Sequence, residues 1–351
     1  MDRVKTTANR VELPERRDHG LRRQEADVTS PRRQARSTVD AGEGAAVVLD
    51  GLVKHYGDNR AVDGVDLVVR RDEIFGVLGP NGAGKTTTLE MIVGLRRPTR
   101  GSIRVLGMDP AGDPDQLRTK VSLQPQQAEM FPNLTASETL ELWASFYPAP
   151  VDAADLLRRV GLAESADTRV HALSGGQERR LLVATALVGD PRVVVLDEPS
   201  TGLDPGARAE LWEVLIEFRD QGGTVLLSTH SMEEAESLCD RVAIIDRGRI
   251  VAEGTPTDLI RRHAPEQVVT FSRDDAHTPD DLRAIPGVSA VDVQGNRVHV
   301  RTTEPQRLVQ QLLAEPSPAQ QVSVRNASLD NVFRQLTGRS LTAGEGGDPD
   351  A

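Results

Sequence analysis

A glycine-rich segment lies between an apolar strand pattern, Ile74–Leu78, and a helical run, Thr87–Val93. It fits the pattern GxxxxGK[ST] and consists of Gly79, Pro80, Asn81, Gly82, Ala83, Gly84, Lys85 and Thr86. Glycines let successive backbone N–H groups curl around phosphate oxygens, and the N-terminus of the following helix adds positive potential. The strand, loop and helix therefore predict an α/β domain with a phosphate-binding loop.

The two residues that end this loop have separate expected roles. The Lys85 ammonium is expected to reach the β and γ phosphates of a nucleotide, and the Thr86 hydroxyl is expected to bind Mg²⁺. Thr87 is also included among the predicted nucleotide contacts. Taken with the loop backbone, these side chains predict a nucleotide with Mg²⁺ as the ligands, a pattern that also fits kinases and GTPases.

Composition narrows the class of protein. The chain has 351 residues, of which 38% are hydrophobic and 27% charged, enough to bury a core. Its net charge of −11 argues against a protein that covers nucleic acid with a basic surface. No apolar run approaches the roughly 20 residues that cross a bilayer. The single cysteine, Cys239, predicts a buried side chain rather than a disulfide or a metal pair.

Short strand patterns alternate with helical ones, as in α/β folds. Helix starts are marked by capping-box spacing at Thr135 with Glu138 and at Ser231 with Glu234. The predicted strands are Val47–Val53, Asp66–Val69, Ile74–Leu78, Ile103–Leu106, Val193–Leu196, Thr224–Ser228 and Val242–Ile245. Helical spacing also places Trp143 on an apolar stripe, which predicts a core position for it.

The apolar strand at Val193–Leu196 is followed by two acids, Asp197 and Glu198. Ligands of α/β sheets lie at the carboxyl ends of the strands. Asp197 is expected to hold Mg²⁺. Glu198 is expected to orient or deprotonate the water that attacks the γ phosphate.

A second anion-binding pattern is the run Leu173-Ser174-Gly175-Gly176-Gln177. Ser-Gly-Gly at a helix start offers backbone N–H groups and a hydroxyl to an anion. With this run, LSGGQ, the sequence resembles the ATP-binding cassette family over about residues 46 to 262. The resemblance implies further site residues: Gln126 as the Q-loop glutamine and a Mg²⁺ ligand, Asp204 in the D-loop, His230 as the switch histidine and Tyr56 as the aromatic that stacks on adenine.

The resemblance also implies how the chain works. In this family two cassettes pair head to tail, so Ser174 and Gly176 of one chain contact the γ phosphate held by Lys85 and Thr86 of the other. The partners implied are a second cassette, with a homodimer expected, and a permease on a separate chain; nucleic acid is not expected. We expect the chain at the cytoplasmic face of the membrane, bound through the permease.

The chain divides into predicted parts beyond this cassette. Residues 1–44 form a charged tail expected to be disordered, as are residues 339–351. Residues 266–338 predict a small accessory α+β domain with βαββαβ order, ending in a helix that stops at Gly338. The fold expected is a P-loop ATPase with antiparallel β and helical subdomains plus this domain.

Two classes of function remain open from the sequence. A cassette followed by a small domain ending in Ser328–Phe333 resembles daunorubicin and doxorubicin resistance ATPases, which implies drug export. The groove for the permease is expected between Gln126 and Pro150, where Trp143, Phe146 and Tyr147 are candidates to line it, with core packing favoured for Trp143. The alternative is a cassette ATPase that acts on nucleic acid or ribosomes. It is disfavoured by the single cassette and by the lack of a coiled-coil insertion between Lys85 and Ser174.

Overall fold

The computed structural model describes residues 44–273, 277–314 and 319–339. The two predicted tails lie outside these ranges, apart from their innermost residues. None of the helices in the described ranges has the length and apolar character required to cross a membrane.

Strands and helices are numbered in chain order. The strands are β1 (Ala45–Tyr56), β2 (Asn59–Arg70), β3 (Ile74–Leu78), β4 (Arg100–Val105), β5 (Val121–Gln124), β6 (Val193–Asp197), β7 (Thr224–Thr229), β8 (Arg241–Asp246), β9 (Arg249–Gly254), β10 (Gln267–Ser272), β11 (Val288–Gln294), β12 (Arg297–Thr302) and β13 (Ser323–Arg325). The α-helices are α1 (Lys85–Ile92), α2 (Pro114–Arg118), α3 (Ala136–Ala144), α4 (Ala153–Arg159), α5 (Gly175–Leu187), α6 (Pro205–Asp220), α7 (Met232–Leu238), α8 (Pro256–His263), α9 (Pro279–Arg283), α10 (Pro305–Leu312) and α11 (Leu329–Thr337), with short 3₁₀ turns at Ala163–Ser165 and Val170–Ala172.

The central sheet has the strand order β5-β6-β7-β3-β8-β9. Its pairs are parallel except for the antiparallel hairpin of β8 and β9. Every residue of β3, β6 and β7 is buried, as expected for parallel strands covered on both faces. Because these strands end at one edge, the glycine-rich loop, Asp197 with Glu198, and His230 are brought together there.

Two hydrophobic cores cover the two faces of this sheet. Side chains alternate between them along a strand: Ile74 packs with the helices α3 to α6, whereas Phe75 packs with α1 and the sheet β2-β1-β4. The single cysteine, Cys239, is buried in the first core, as predicted, and burial raises the pKa of its thiol. The predicted ATPase core with an antiparallel β part and a helical part is confirmed.

The structure confirms some of the predicted helix features and contradicts others. At Thr135 and Glu138 both bonds of the capping box form. At Ser231 only half of it forms: the Ser231 side chain accepts from the Glu234 N–H, while the Glu234 carboxylate accepts a hydrogen bond from Trp212. The core position predicted for Trp143 is wrong: its side chain is 40% exposed and packs edge to face on Phe146.

The small C-terminal unit has the predicted βαββαβ order. Its antiparallel sheet runs β11-β12-β10-β13, and a separate core forms around Val269, Phe271 and Val300. The last helix, α11, does not pack with that core. Leu329, Val332 and Phe333 join the first core of the cassette, where α11 packs against α7 and α8. Its first N–H donates to Glu236 of α7 at 2.6 Å. The sequence predicts this helix as the end of the accessory domain, and the structure shows its apolar side chains packed in the cassette core.

We expect Phe333→Ala to destabilise the cassette itself. Phe333 is fully buried in the cassette core, and truncating such a side chain costs about 3–5 kcal/mol. The measurement is the urea dependence of unfolding, followed by tryptophan fluorescence from the cassette residues Trp143 and Trp212. Leu336→Ala, on the same helix but only partly buried, is the control and should cost less. Equal losses in both variants would contradict the packing described for α11.

Candidate functional site

The glycine-rich loop between β3 and α1 takes a shape that requires its glycines. Gly84, the residue before α1, has φ of 100°, and a Cβ there would lie 2.3 Å from the Ala61 carbonyl oxygen. A Cβ on Gly79 would lie 2.3 Å from the Ile245 carbonyl oxygen. Side chains are therefore excluded at Gly79 and Gly84, where the loop packs against β8 and β2. The loop backbone can then approach an anion closely.

The Lys85 side chain lies inside this loop. Its ammonium donates to the carbonyl oxygens of Gly79 at 2.8 Å and Pro80 at 3.2 Å, and lies 3.3 Å from Oε1 of Glu198. The residue is only 5% exposed, and this burial lowers the pKa of Lys85 against the opposing effect of Glu198. The loop thus positions a buried cation beneath its anion-binding backbone.

Glu198 is the residue on which the site converges. Its Oε2 accepts from Nε2 of Gln126 at 3.2 Å and from the Thr201 hydroxyl at 3.3 Å, and lies 3.3 Å from Nδ1 of His230. The hydrogen bond with His230, helped by the charge of Lys85 and opposed by burial, lowers the pKa of Glu198 to about 2. The carboxylate is therefore ionised, and its contacts with Gln126, Thr201 and His230 fix its orientation.

Asp197 and Thr86 offer the oxygen ligands that Mg²⁺ prefers. Asp197 is 2% exposed and accepts a hydrogen bond from the Ser228 hydroxyl at one carboxylate oxygen. Among the described residues nothing hydrogen-bonds its second oxygen or the exposed Thr86 hydroxyl. Those residues contain no group of three or more His, Cys, Asp and Glu side chains arranged to hold a metal ion by themselves. One carboxylate and one hydroxyl suit an ion whose other ligands are water and substrate phosphates.

The Ser174–Gln177 run starts α5, as expected. Ser174 and Gln177 form a reciprocal capping box, and the Gln177 amide also donates to Ser165 at 3.1 Å. The Gln177 side chain, predicted to contact nucleotide, is thus engaged within its own chain. The N–H groups of Gly175 and Gly176 are left without helical acceptors. In the described ranges, no hydrogen bond or ion pair joins this run to the loop at Gly79–Thr87.

Two further predicted residues have local partners. Asp204 caps α6, accepting from the N–H groups of Gly206 at 2.9 Å and Ala207 at 3.1 Å. Tyr56 is 41% exposed at the end of β1, and the side chains of Lys54 and Arg96 lie 5.3 and 5.6 Å from its ring centroid. Its ring is thus accessible to a base, with cations beside it that suit phosphates.

Sequence reasoning missed Arg179, on the second turn of α5. Its guanidinium donates to the backbone carbonyl oxygens of Pro199 at 2.6 Å, Gln126 at 3.3 Å and Asp197 at 3.5 Å, and also to that of Glu198. Burial lowers the pKa of Arg179, opposed by the neighbouring acids. The only available signal was an arginine soon after the LSGGQ run, which does not reveal the groups it meets.

The assembled edge has the parts that phosphoryl transfer needs: a phosphate loop, a cation, oxygen ligands for a metal ion and an oriented carboxylate. This constellation, on a parallel sheet with a glycine-rich loop after β3, defines the class as a P-loop nucleotide hydrolase.

Comparisons with known proteins narrow that class. Residues 62–201 match the family described as ABC transporter. The chain is 40% identical over 311 residues to "Nod factor export ATP-binding protein I" of Ralstonia nicotianae, covering 86% of this chain and 97% of that protein. Its identity to the protein of the same name from Mesorhizobium japonicum is 36% over 340 residues, covering 95% and 96%.

Solved structures agree with these relatives. An ATP-binding subunit of an ABC transporter superposes with a TM-score of 0.56 at 32% identity, covering 62% of this chain and 92% of that one. A dimeric post-hydrolysis state of an ATP-binding cassette, with ADP and Pi bound, has a TM-score of 0.54 at 28% identity, covering 60% and 98%.

The chain belongs to the ABC transporter family. It is an ATP-binding subunit that hydrolyses ATP with Mg²⁺.

Proposed function

We propose that this chain powers export of a small lipophilic compound through a separate permease, at the cytoplasmic face of the membrane. The observation that carries the proposal is the extent of the match: proteins named for export align over 97% of their length, which includes the small C-terminal unit.

The residues of the site take the following roles in this proposal. The loop backbone and Lys85 bind the phosphates, Tyr56 stacks on adenine, and Thr86, Asp197 and Gln126 hold Mg²⁺. The bound ion neutralises charge that develops on the phosphates. Glu198 orients and deprotonates the attacking water, with His230 and Gln126 fixing its carboxylate at 3.3 and 3.2 Å.

The N-terminus of α5 supports a proposal for how two cassettes pair. Its free N–H groups at Gly175 and Gly176 form a second anion site, and no bond in the described ranges ties it to the chain's own loop. We propose that this site meets the γ phosphate on the partner cassette, so that ATP holds the closed dimer together. Loss of the phosphate then removes the charge that both sites share.

We propose the cassette at residues 46–262 and the accessory domain at 266–338, with α11 tying the second to the first. The separate core around Phe271 supports the division into two domains. The burial of Phe333 in the cassette core supports the proposal that α11 connects the accessory domain to the cassette. The permease groove is proposed beside α3, where Phe146 is 69% exposed.

Two cargoes are candidates within this proposal. The relatives are named for Nod factor export, and the order of cassette, small domain and Ser328–Phe333 resembles the anthracycline-resistance ATPases. The alternative, action on nucleic acid or ribosomes, is not favoured by relatives named as exporter subunits.

We expect a tagged chain to recover an integral membrane protein from detergent-solubilised membranes. Cells that express both should then accumulate less daunorubicin than cells in which this chain carries Glu198→Gln. Efflux of another lipophilic compound alone would support export and contradict the anthracycline assignment. Recovery of ribosomes or DNA with no membrane protein would overturn the transporter proposal.

A further inference from the structure

The backbone of Glu198 is strained. Its φ of 50° places a residue with a side chain in the left-handed region, which is unfavourable and needs compensation from its surroundings. Its N–H donates to the carbonyl oxygen of Ser228 at 3.2 Å and to the Ser228 hydroxyl at 3.1 Å. The opposite side of the same turn is held by Arg179, through the carbonyl groups of Glu198 and Pro199.

Arg179 also reaches the Q-loop. It donates to the carbonyl oxygen of Gln126, whose side chain in turn donates to Oε2 of Glu198. One guanidinium therefore holds the backbone of both residues that meet at the catalytic carboxylate. Arginine suits this task because its planar group presents several donors in fixed directions, whereas lysine presents a single ammonium.

The helix that carries Arg179 begins at the proposed contact with the partner's nucleotide. Arg179 lies five residues after Ser174, about 7.5 Å along α5. The two sites are on one rigid helix, so a displacement of its first turn moves the guanidinium and the carbonyl groups bound to it.

We propose that Arg179 is a positioning residue that couples the start of α5 to Glu198 and Gln126 of the same chain. Engagement of the partner's γ phosphate by Gly175 and Gly176 then sets the geometry of the carboxylate that acts on this chain's own nucleotide. The two ATP sites are thereby linked through each polypeptide, in addition to the nucleotide shared at the interface. This inference rests on the proposed head-to-tail pairing.

The test compares Arg179→Met, Arg179→Lys and a control, Arg180→Lys, on the full chain. Arg180 follows Arg179 but turns away, to Glu210 and to the Val160 carbonyl group. We measure kcat, KM and the Hill coefficient for ATP, with the affinity for a fluorescent ATP analogue. Arg179→Met should lower kcat roughly 10- to 100-fold through misplacement of Glu198. It should also lower the Hill coefficient towards one and leave analogue affinity unchanged.

Arg179→Lys should have a higher kcat than Arg179→Met, because lysine supplies a donor and a positive charge but not the several fixed donors of the planar guanidinium. Arg180→Lys should match the wild type. A wild-type kcat and Hill coefficient in Arg179→Met would overturn the inference, and so would a loss of analogue affinity equal to the loss of kcat. Glu198→Gln is run alongside: if it also hydrolyses ATP at the wild-type rate, the proposed role of the carboxylate has failed rather than the coupling.

Discussion

Glu198→Gln is expected to bind MgATP, to lose at least about 100-fold in kcat, and to accumulate as an ATP-dependent dimer. The amide keeps the size of the side chain and its ability to accept from His230, but it cannot take a proton from water. It also removes a negative charge that lies 3.3 Å from Lys85, next to the site proposed for the γ phosphate. Repulsion between carboxylate and nucleotide falls, so the closed dimer should be more stable than in the wild type.

Phosphate release and light scattering after size-exclusion chromatography measure the two effects. Glu233→Gln is the matched control, because Glu233 is an exposed acid on α7 that pairs with Arg208 at 3.0 Å. It should turn over and dimerise as the wild type does. Hydrolysis at the wild-type rate in Glu198→Gln would exclude Glu198 as the base. If Glu198→Gln stayed monomeric under saturating MgATP with the permease present, the proposal that ATP is bound between two chains would be excluded.

Much of this site could be predicted because its signals are local. The bounds of β3 were predicted to the residue, since an unbroken apolar run followed by Gly-Pro leaves little choice. The parallel sheet then explains why Lys85, Glu198 and His230 meet, although 145 residues separate the first from the last. Parallel strands place their carboxyl ends at one edge, so chain distance does not matter.

The features that were missed depend on tertiary contacts. Strand β5 has only four residues, two of them polar, and is stabilised by pairing with β6. Strand β9 has only three apolar residues and none that is fully buried, and it is stabilised by antiparallel pairing with β8. The stripe on α11 predicts an apolar face, but either domain could have covered it. The target of Arg179 is a set of backbone carbonyl groups, which carry no sequence signal.

The head-to-tail pairing predicts that two inactive variants restore activity when mixed. The first is Lys85→Met, which removes the buried cation from the phosphate loop. The second is Gly175→Asp. A Cβ at Gly175 meets nothing within 4 Å, and an acid in the first turn of a helix is favourable, so this chain should fold normally. Its carboxylate nevertheless faces the proposed site of the partner's γ phosphate and should repel it.

Each variant alone should release almost no phosphate, because every composite site in its homodimer is defective. In a mixed dimer, one site combines Lys85 of the Gly175→Asp chain with the intact Gly175 of its partner. Random pairing gives one intact site in half of the dimers, so an equimolar mixture should recover at most about a quarter of wild-type turnover. The recovery should fall below a quarter to the extent that Arg179 couples the two sites. A chain carrying both substitutions, mixed with either single variant, creates no intact site and should stay inactive. If Gly175→Asp alone were active, or if the mixture of correctly folded single variants neither dimerised with MgATP nor released phosphate, the nucleotide would not be held between two chains.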